Sequence, residues 1–549
     1  MNILSLGGSW HDFSACLIVD GEIKYAIEDE RLSRLKHSVG LSDEMILNCN
    51  AAMYCLEAAG LQLKDIDLIM GNDTLHPGFT WKFRELFNKT RLINHHLAHA
   101  SSAFYPSGFE DAAVLVIDGS GSRIDSENQL HETTSFYHGK GSQLIEIKKT
   151  LGRVVDYFPV LKTENTIGGL YTAITEMIGF QMYEEGKTMG LAPYGTNRFV
   201  EEFYRFYELN EEGGFVQNKK HFPLVARFLF RALSPSQNAD KIEQAKADIA
   251  YALQHHLERI VLNACHYLHR VTGSKNLCIA GGVGLNSVMN YKILEETQFE
   301  NVFVQPSAGD AGMAIGSALF GYHNILNQPR AAKGQIFSPY LGKEYSEDSI
   351  EAELNKYCDR LHVEKLENVV ETTARLISEG NIIGWFQGRS EIGPRALGNR
   401  SILADPRRAE MKDIINSRIK HREAFRPFAP IVLEEQQEQY FFMRHPSYYM
   451  MFVPYIEPDK RKQIPAVTHV DGTGRLQTVS KQLNPKLHNL LTAFYDRTGV
   501  PVLLNTSFND NGEPIIESPS DAIRCFLNID LDYLVIHDFI VSKRKASVS

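Results

Sequence analysis

Ala113-Val114-Leu115-Val116-Ile117-Asp118-Gly119-Ser120-Gly121 is the stretch on which the fold turns. Five apolar residues in a row read as a strand buried on both faces, and the chain leaves it through an acidic, glycine-rich turn. The N-terminus opens in a similar way. Asn2–Leu6, Ala15–Asp20 and Ile23–Ile27 are predicted strands, with Gly21-Glu22 as a hairpin turn between the last two. A predicted helix runs from Ser42 to Ala59 and stops at Gly60, with Ile46, Met53, Leu56 and Ala59 on its buried stripe. Lys64–Gly71 then reads as a strand and its exit. Beyond the Ala113 strand, Thr133–His138 and Leu144–Lys148 are further strands.

Two units of β-meander followed by helix suggest the duplicated lobes of the actin/hexokinase-type ATPase fold, an α/β architecture. Helices are predicted over 168–183 and 242–272. The strands Lys275–Ala280 and Asn301–Val304 run into turns containing Gly281-Gly282-Val283-Gly284 and Gly309-Asp310. Strand ends of this kind are where α/β folds place ligands. The first domain is expected over 1–325, a linker over 326–345 and a second domain over 346–549. That second domain opens with a helix at 367–379 and the strand Asn381–Phe386, and the tail Lys543–Ser549 reads as loose.

A chain of 549 residues exceeds what one core usually organises, so two or three domains are expected. With 43% hydrophobic and 23% charged residues it is an ordinary globular chain. A net charge of −10 argues against a nucleic-acid coat or a basic membrane-surface protein. No apolar run approaches the roughly 18 residues of a membrane span, and Met1–Gly7 lacks the basic leader of a secretory signal. Seven scattered cysteines without a Cys-x-x-Cys pair read as reduced thiols in a cytoplasmic protein.

Three groups of residues carry candidate chemistry. In Asn94-His95-His96-Leu97-Ala98-His99, a helix would put His95 and His99 one turn apart on one face, able to share a cation. Core or capping histidines are the plainer alternative. Asp118 and Asp310 each end an apolar strand in a glycine turn, and two His with two Asp suit Fe²⁺, Mn²⁺ or Zn²⁺ better than Ca²⁺. The glycine turns at 119–122, 281–284 and 309–312 let backbone N–H groups approach a phosphate, although none fits a P-loop. His11, in the first hairpin loop, is a general-base candidate or a surface histidine. Between Gly388 and Phe428 stand ten Lys and Arg residues against five acids, an outlier in an acidic chain. Arginines beside glycine, proline and aromatic residues, as in Gly393-Pro394-Arg395 and Phe425-Arg426-Pro427-Phe428, suit a compact anion better than a solvated helix face or a nucleic acid. Arg475 and the cluster Asn505-Thr506-Ser507 could complete such a pocket, or the latter is simple turn chemistry.

Taken in order, these motifs resemble the O-carbamoyltransferases of antibiotic-tailoring and nodulation type. His11-Asp12, Asn94–His99, Ile117-Asp118-Gly119, Glu185–Gly195, Ala280–Val283 with Leu285-Asn286, and Gly309-Asp310 carry the likeness in the first half. Gly388–Ile402, Phe425–Pro430, His469–Thr473 and Asn505–Asn509 carry it in the second. The resemblance implies a first domain similar to the tRNA-threonylcarbamoylation ATPase fold and a second similar to the YrdC-type carbamoyl-adenylate synthase. It implies that carbamoyl phosphate and ATP, accompanied by Mg²⁺, yield carbamoyl adenylate, phosphate and pyrophosphate. The carbamoyl group would then pass to a hydroxyl of a small-molecule acceptor as AMP leaves. By position, His95, His99, Asp118 and Asp310 would hold a divalent metal, iron first, and His11 would be the base. Arg395, Lys420, Arg426 and Arg475 would bind phosphates, beside Asn505 and Ser507, while Gly281, Gly282, Asn286 and Gly309 would bind nucleotide in the first domain. The expected partners are small molecules, with neither nucleic acid nor membrane, and a homo-oligomer is compatible. An actin-fold kinase acting on a small molecule is the alternative. It accounts for the two lobes but gives the arginine-rich domain no task.

Overall fold

Alternating and fully apolar runs become the strands of three larger sheets. The computed structural model describes residues 1–157, 161–218, 222–234, 238–330 and 334–544. Part of the expected linker (331–333) and most of the expected loose tail (545–549) lie outside the described residues. The chain divides into two units. Unit 1 comprises Met1–Lys24, Ile46–Ala52 and Leu61–Phe337; unit 2 comprises Tyr25–Met45, Met53–Gly60 and Ser338–Ser549.

The first sheet contains β1 (Asn2–Gly7), β2 (Ser14–Val19), β3 (Glu22–Glu28), β4 (Leu68–Asn72) and β5 (Thr90–Ile93), in the order β3-β2-β1-β4-β5. The second contains β6 (Asp111–Ile117), β7 (Arg123–Asp125), β8 (Leu130–Lys140), β9 (Gln143–Tyr157) and β10 (Leu161–Thr163). A small ribbon, β11 (Tyr207–Leu209) with β12 (Phe215–Gln217), stands apart from it. β13 (Asn276–Ala280) and β14 (Asn301–Val304) complete the second sheet, in the order β10-β9-β8-β6-β13-β14. β1 is antiparallel to β2 and parallel to β4, while β6 is antiparallel to β8 and parallel to β13. Hence β9-β8-β6-β13-β14 repeats β3-β2-β1-β4-β5, the duplicated order of the actin/hexokinase-type fold that the two opening meanders suggested.

Two helices join these sheets. His95–Phe104 packs on β6, β13 and β8, Met313–Phe320 packs on β1, β2 and β4, and each packs on the other. Their crossing requires Gly316, because a Cβ there would stand 1.9 Å from the Ala98 carbonyl oxygen and 2.7 Å from the Ser102 nitrogen. Overpacking of this kind costs about 1–3 kcal/mol. Gly316→Ala should therefore lower the thermal midpoint of the purified chain by several degrees, and an unchanged melt would contradict the close crossing.

The third sheet lies in unit 2. Its strands are β15 (Leu361–Lys365), β16 (Ile383–Phe386), β17 (Arg400–Ala404), β18 (Ala429–Leu433), β19 (Gln477–Val479), β20 (Val502–Ser507), β21 (Tyr533–Ile536) and β22 (Phe539–Lys543). Their order is β15-β22-β21-β16-β17-β20-β18-β19, a mixed sheet. Its core includes Trp385, Leu403, Ile431, Leu503 and Val535, each fully buried.

One element departs from expectation. The helix predicted over Ser42–Ala59 is two helices, Asp43–Asn48 and Asn50–Ala59, separated by Cys49 with φ +52°. The buried face of the second carries Ala51, Ala52, Tyr54, Cys55 and Leu56, whereas Met53 is exposed. The break rotates the second helix off the stripe that an unbroken helical period would give. Among the described residues no helix is long and apolar enough to cross a membrane, and no disulfide links the seven cysteines.

Candidate active sites

In unit 1 the four metal-ligand candidates meet. Asn94 caps the His95–Phe104 helix through the Leu97 N–H at 3.0 Å, which fixes the first turn and sets His95 and His99 on one face. Asp118 leaves the end of β6, and Asp310 opens the turn after β14 that leads into Met313–Phe320. His95 Nε2 lies 3.2 Å from His99 Nε2, 3.0 Å from Asp118 Oδ2 and 3.7 Å from Asp310 Oδ1. His99 Nε2 lies 3.9 Å from Asp118 Oδ2 and 3.4 Å from Asp310 Oδ1.

A cation fits this set on the chemistry of its donors. Ligand atoms about 2.1 Å from a shared centre stand about 3.0–3.4 Å apart at neighbouring positions, close to the spacings found here. The Thr74 hydroxyl lies 2.7 Å from His95 Nδ1, so that nitrogen has its own partner and Nε2 is directed into the cluster. Ser9 Oγ donates to Asp310 Oδ2 at 2.5 Å, and the Gly282 N–H donates to Asp118 Oδ1 at 3.2 Å, so each carboxylate is oriented from its other oxygen.

The charges agree with that description. Burial opposes a charge on His95, but Asp310 and Asp118 lift it to about 9. Burial would likewise raise Asp118, yet its bond to His95 and the neighbouring imidazoles hold it well below the carboxylate range. Asp310 is lowered too, against its burial, by His95, His99 and His11. The two buried carboxylates call for positive charge, which a divalent cation on these four donors would supply.

His11 stands at the same cluster. Its Nδ1 lies 3.0 Å from Asp12 Oδ2, its Nε2 lies 3.9 Å from Asp310 Oδ2, and its ring centre is 4.8 Å from that of Tyr183. Burial works against its charge, but Asp12, Asp310 and Asp118 raise it to about 9.

The glycine turn expected to cradle phosphate is itself held by internal hydrogen bonds. The Gly281 N–H donates to Ala308 O at 2.8 Å, Gly282 serves Asp118, and the Gly284 N–H closes a turn onto Gly281 O at 2.9 Å. Gly281 itself is required at φ +91°, where a Cβ would stand 2.2 Å from Ile117 O. Asn286 caps the helix Ser287–Glu296 through the Met289 N–H and exchanges hydrogen bonds with Gln254. These three residues are therefore occupied in shaping the strand ends. At Gly309 a Cβ would meet nothing closer than Leu285 at 4.0 Å, so the Cα side of this residue has room around it.

In unit 2, sheet register brings the anion candidates to one side. Ser401 pairs with Ser507, Leu403 and Ala429 both pair with Asn505, and Ile431 pairs with Gln477. The end of β16, the starts of β17, β18 and β19, and the end of β20 therefore share one edge. Arg395 lies in the loop before β17, Arg426 before β18 and Arg475 before β19. Arg475 is pushed well below its usual value by burial and by Arg395, Arg422 and Arg426. Burial and Arg426 lower Arg395 and Arg422 as well. Guanidiniums that depress one another form a site short of negative charge. Arg475 Nε, buried, has no hydrogen-bond partner among the described residues. Neither has the buried Asn505 Oδ1, whose amide nitrogen donates to Ala396 O at 3.0 Å.

Lys420, expected to bind phosphate, is tied to the exit of β20. Its Nζ donates to Ser507 O at 2.7 Å and to Asn509 O and Oδ1, both at 2.9 Å, so all three protons hold the strand exit in place. Burial, Arg422 and Arg426 push it down to about 7. Ser507 Oγ also donates to Asn509 Oδ1, at 2.6 Å. Arg400, in the same basic run, is fully buried over Phe386 and donates to the carbonyls of Gln387, Gly388, Asn399 and Glu517. Arg407 pairs with Asp405, and Arg418 with Asp530 and Asp532. Arg395, Arg422 and Arg426 of the same run lie close enough for the charge of Arg426 to lower the other two.

Two members of the second cluster were given no role in the sequence reading. Arg422, over the Phe428 ring at 4.5 Å, was one charge among ten. His469, lowered to about 4 by burial together with Arg475 and Lys412, against Asp471, keeps its Nε2 unpaired. The aromatic neighbours in Arg422–Phe428 are the available signal for the first; the second opens the His469–Thr473 motif.

Comparison with known proteins finds two family models along the chain. The family model described as the carbamoyltransferase N-terminus matches residues 77–319, and that of the carbamoyltransferase C-terminus matches residues 374–543. The nodulation protein NolNO of Sinorhizobium fredii is 39% identical, over 98% of this chain and 80% of its own length. The 3'-hydroxymethylcephem-O-carbamoyltransferase of Amycolatopsis lactamdurans is 37% identical over 45% of each chain. Among solved structures, full-length HypF in its phosphate- and nucleotide-bound form is 14% identical, with a TM-score of 0.42 over 60% of this chain and 56% of that one.

Proposed function

The chain belongs to the carbamoyltransferase family, and from that premise we propose that it is an ATP-dependent O-carbamoyltransferase with two half-reactions. The guanidinium cluster of unit 2 forms carbamoyl adenylate, and the imidazole–carboxylate cluster of unit 1 transfers the carbamoyl group to a hydroxyl of a small molecule. The observation that carries this reading is the pairing of two opposite chemistries on one chain. One cluster is rich in cation ligands and the other short of anions.

In the first half-reaction, water divides carbamoyl phosphate into carbamate and inorganic phosphate. A carbamate oxygen then bonds to the α-phosphorus of ATP as pyrophosphate leaves. Arg395, Arg422, Arg426 and Arg475 neutralise the phosphates, a task for which planar guanidiniums in a desolvated setting are suited. Lys420 acts by holding the Ser507–Asn509 exit, and Asn505 Oδ1 is an acceptor for a donor on the substrate. In the second half-reaction the acceptor oxygen bonds to the carbamoyl carbon, the bond from that carbon to the AMP oxygen breaks, and the hydroxyl proton is released. His11 is the residue we place beside that hydroxyl. A divalent cation on His95, His99, Asp118 and Asp310, iron(II) first and Mn²⁺ or Zn²⁺ otherwise, supplies Lewis acidity and positive charge when bound. A carbamate ester is slow to form from carbamate itself, and the adenylate supplies the leaving group. Nucleotide bound in unit 1 approaches from the Gly309 side. Scattered thiols with no disulfide among the described residues and small, charged co-substrates support a cytoplasmic reaction, and the activity named for the cephem enzyme supports a hydroxyl on a natural product as one acceptor class.

Product analysis tests this reading. The full chain, with ATP, Mg²⁺, carbamoyl phosphate and a panel of sugar, aminocyclitol and hydroxymethyl acceptors, should yield AMP, pyrophosphate and an acceptor heavier by one carbamoyl group. ADP with a phosphorylated acceptor would establish the kinase alternative instead.

A further inference from the structure

We propose that Glu28 and Arg31 are positioning residues for Arg395, holding the turn that presents its guanidinium to the anion pocket. The inference rests on the reading of the guanidinium cluster as a phosphate site and goes beyond it, since neither residue belongs to the cluster.

The helix Asp29–Ser33 follows directly on β3, and the segment from Tyr25 onward belongs to unit 2. Glu28 Oε1 accepts the Gly393 N–H, and Arg31 Nη2 donates to Gly393 O at 2.7 Å. Both polar groups of one residue, two positions before Arg395, are thus gripped by one acid and one base. The Arg31 Nε stands 3.7 Å from Glu28 Oε2, so the two clamp residues also hold each other. Both side chains are buried, and Glu391 and Glu517 add their negative charge around the guanidinium. The far side of the same loop is fixed separately. Glu391 Oε1 accepts the N–H groups of Leu397 at 2.8 Å, Asn399 at 2.7 Å and Arg400 at 3.2 Å. Arg395 therefore sits in a short span anchored at both ends by carboxylates.

Such anchoring matters because the guanidiniums repel one another before an anion arrives. A loop free to move would carry Arg395 away from Arg426 and Arg475, and the binding energy of the anion would go into bringing it back. Fixed residues remove that cost in advance. Arg31 and Glu28 act through Gly393, which Arg31 Nη2 and Glu28 Oε1 hold from its two sides.

Calorimetric binding of inorganic pyrophosphate to the full chain reads the effect without relying on any acyl chemistry. Glu28→Ala leaves the buried Gly393 N–H without its acceptor and should weaken pyrophosphate about tenfold. Glu28→Gln keeps an acceptor oxygen and should restore most of the affinity, and Arg31→Lys should behave like Glu28→Ala. Adding Glu28→Ala to Arg395→Ala should produce no further loss, because the first acts through the second. Unchanged affinity in Glu28→Ala and Arg31→Lys, with or without a lowered thermal midpoint, would overturn the proposal alone. So would losses that add in the double variant. A wild-type chain that fails to bind pyrophosphate would overturn the pocket reading and this proposal together.

Discussion

Arg395→Ala is expected to slow carbamoyl-adenylate formation by roughly 10²- to 10³-fold, because truncating one member of a desolvated charge pair costs about 2–5 kcal/mol. Transfer from supplied carbamoyl adenylate should stay within about twofold of wild type, since that step is assigned to unit 1. A second consequence runs the opposite way. After burial, Arg426 lowers Arg395, and Arg395 in turn lowers Arg475, so removing Arg395 relieves repulsion. The variant should therefore melt no lower than wild type, and above it when phosphate is absent. Sites built for binding often carry such strain, and losing function can restore stability. Coupled pyrophosphate exchange and calorimetry check both halves. A variant that loses activity and melts early would be explained by misfolding and would speak against a dedicated pocket.

Asp310→Asn is expected to have the complementary effect. It keeps shape and the acceptor oxygen used by Ser9 but removes one charge from the four-donor cluster. Loss of one ligand from such a set should lower bound metal, read by plasma mass spectrometry of the purified chain, to a small fraction of the wild-type content. Transfer should fall roughly 10³-fold, in line with a missing charge-stabilising group, while formation of carbamoyl adenylate continues. His99→Ala should agree. Equal loss of both half-reactions would contradict the assignment of one to each unit, and full metal content with full transfer would remove the cluster from the mechanism.

How far the sequence could be read depended on whether the signal was local. His95 and His99 lie four apart on a helix, and Asp118 and Asp310 close apolar strands, so each was visible alone. Their meeting required the duplicated strand order that brings the exits of β6 and β14 to the head of one helix. The Gly281–Gly284 turn shows what motif reading leaves open. A glycine turn after a strand signals close approach without naming the approaching group, and here backbone and the Asp118 carboxylate are among those that come close. Charge counting had the same weakness. Arg400 and Arg395 are five residues apart in one basic run, yet Arg400 is satisfied by carbonyls under Phe386 and Arg395 joins the cluster. Nothing in the residue types distinguishes them, because the difference is that Arg395 precedes β17 whereas Arg400 begins it. The membership of residues 25–45 in unit 2 was hidden for a similar reason. Contiguity along the chain is the only guide to domains that sequence offers, and here the chain crosses between units within β3.

The central claim is that an acyl-nucleotide forms before any acceptor is present. Exchange of labelled pyrophosphate into ATP, measured on the wild-type chain without acceptor, addresses it most directly. Exchange that appears only when carbamoyl phosphate is added, and that vanishes in Arg395→Ala but persists in Asp310→Asn, is the expected result. Exchange independent of carbamoyl phosphate, or none at all alongside intact carbamoylation of an acceptor, would contradict it.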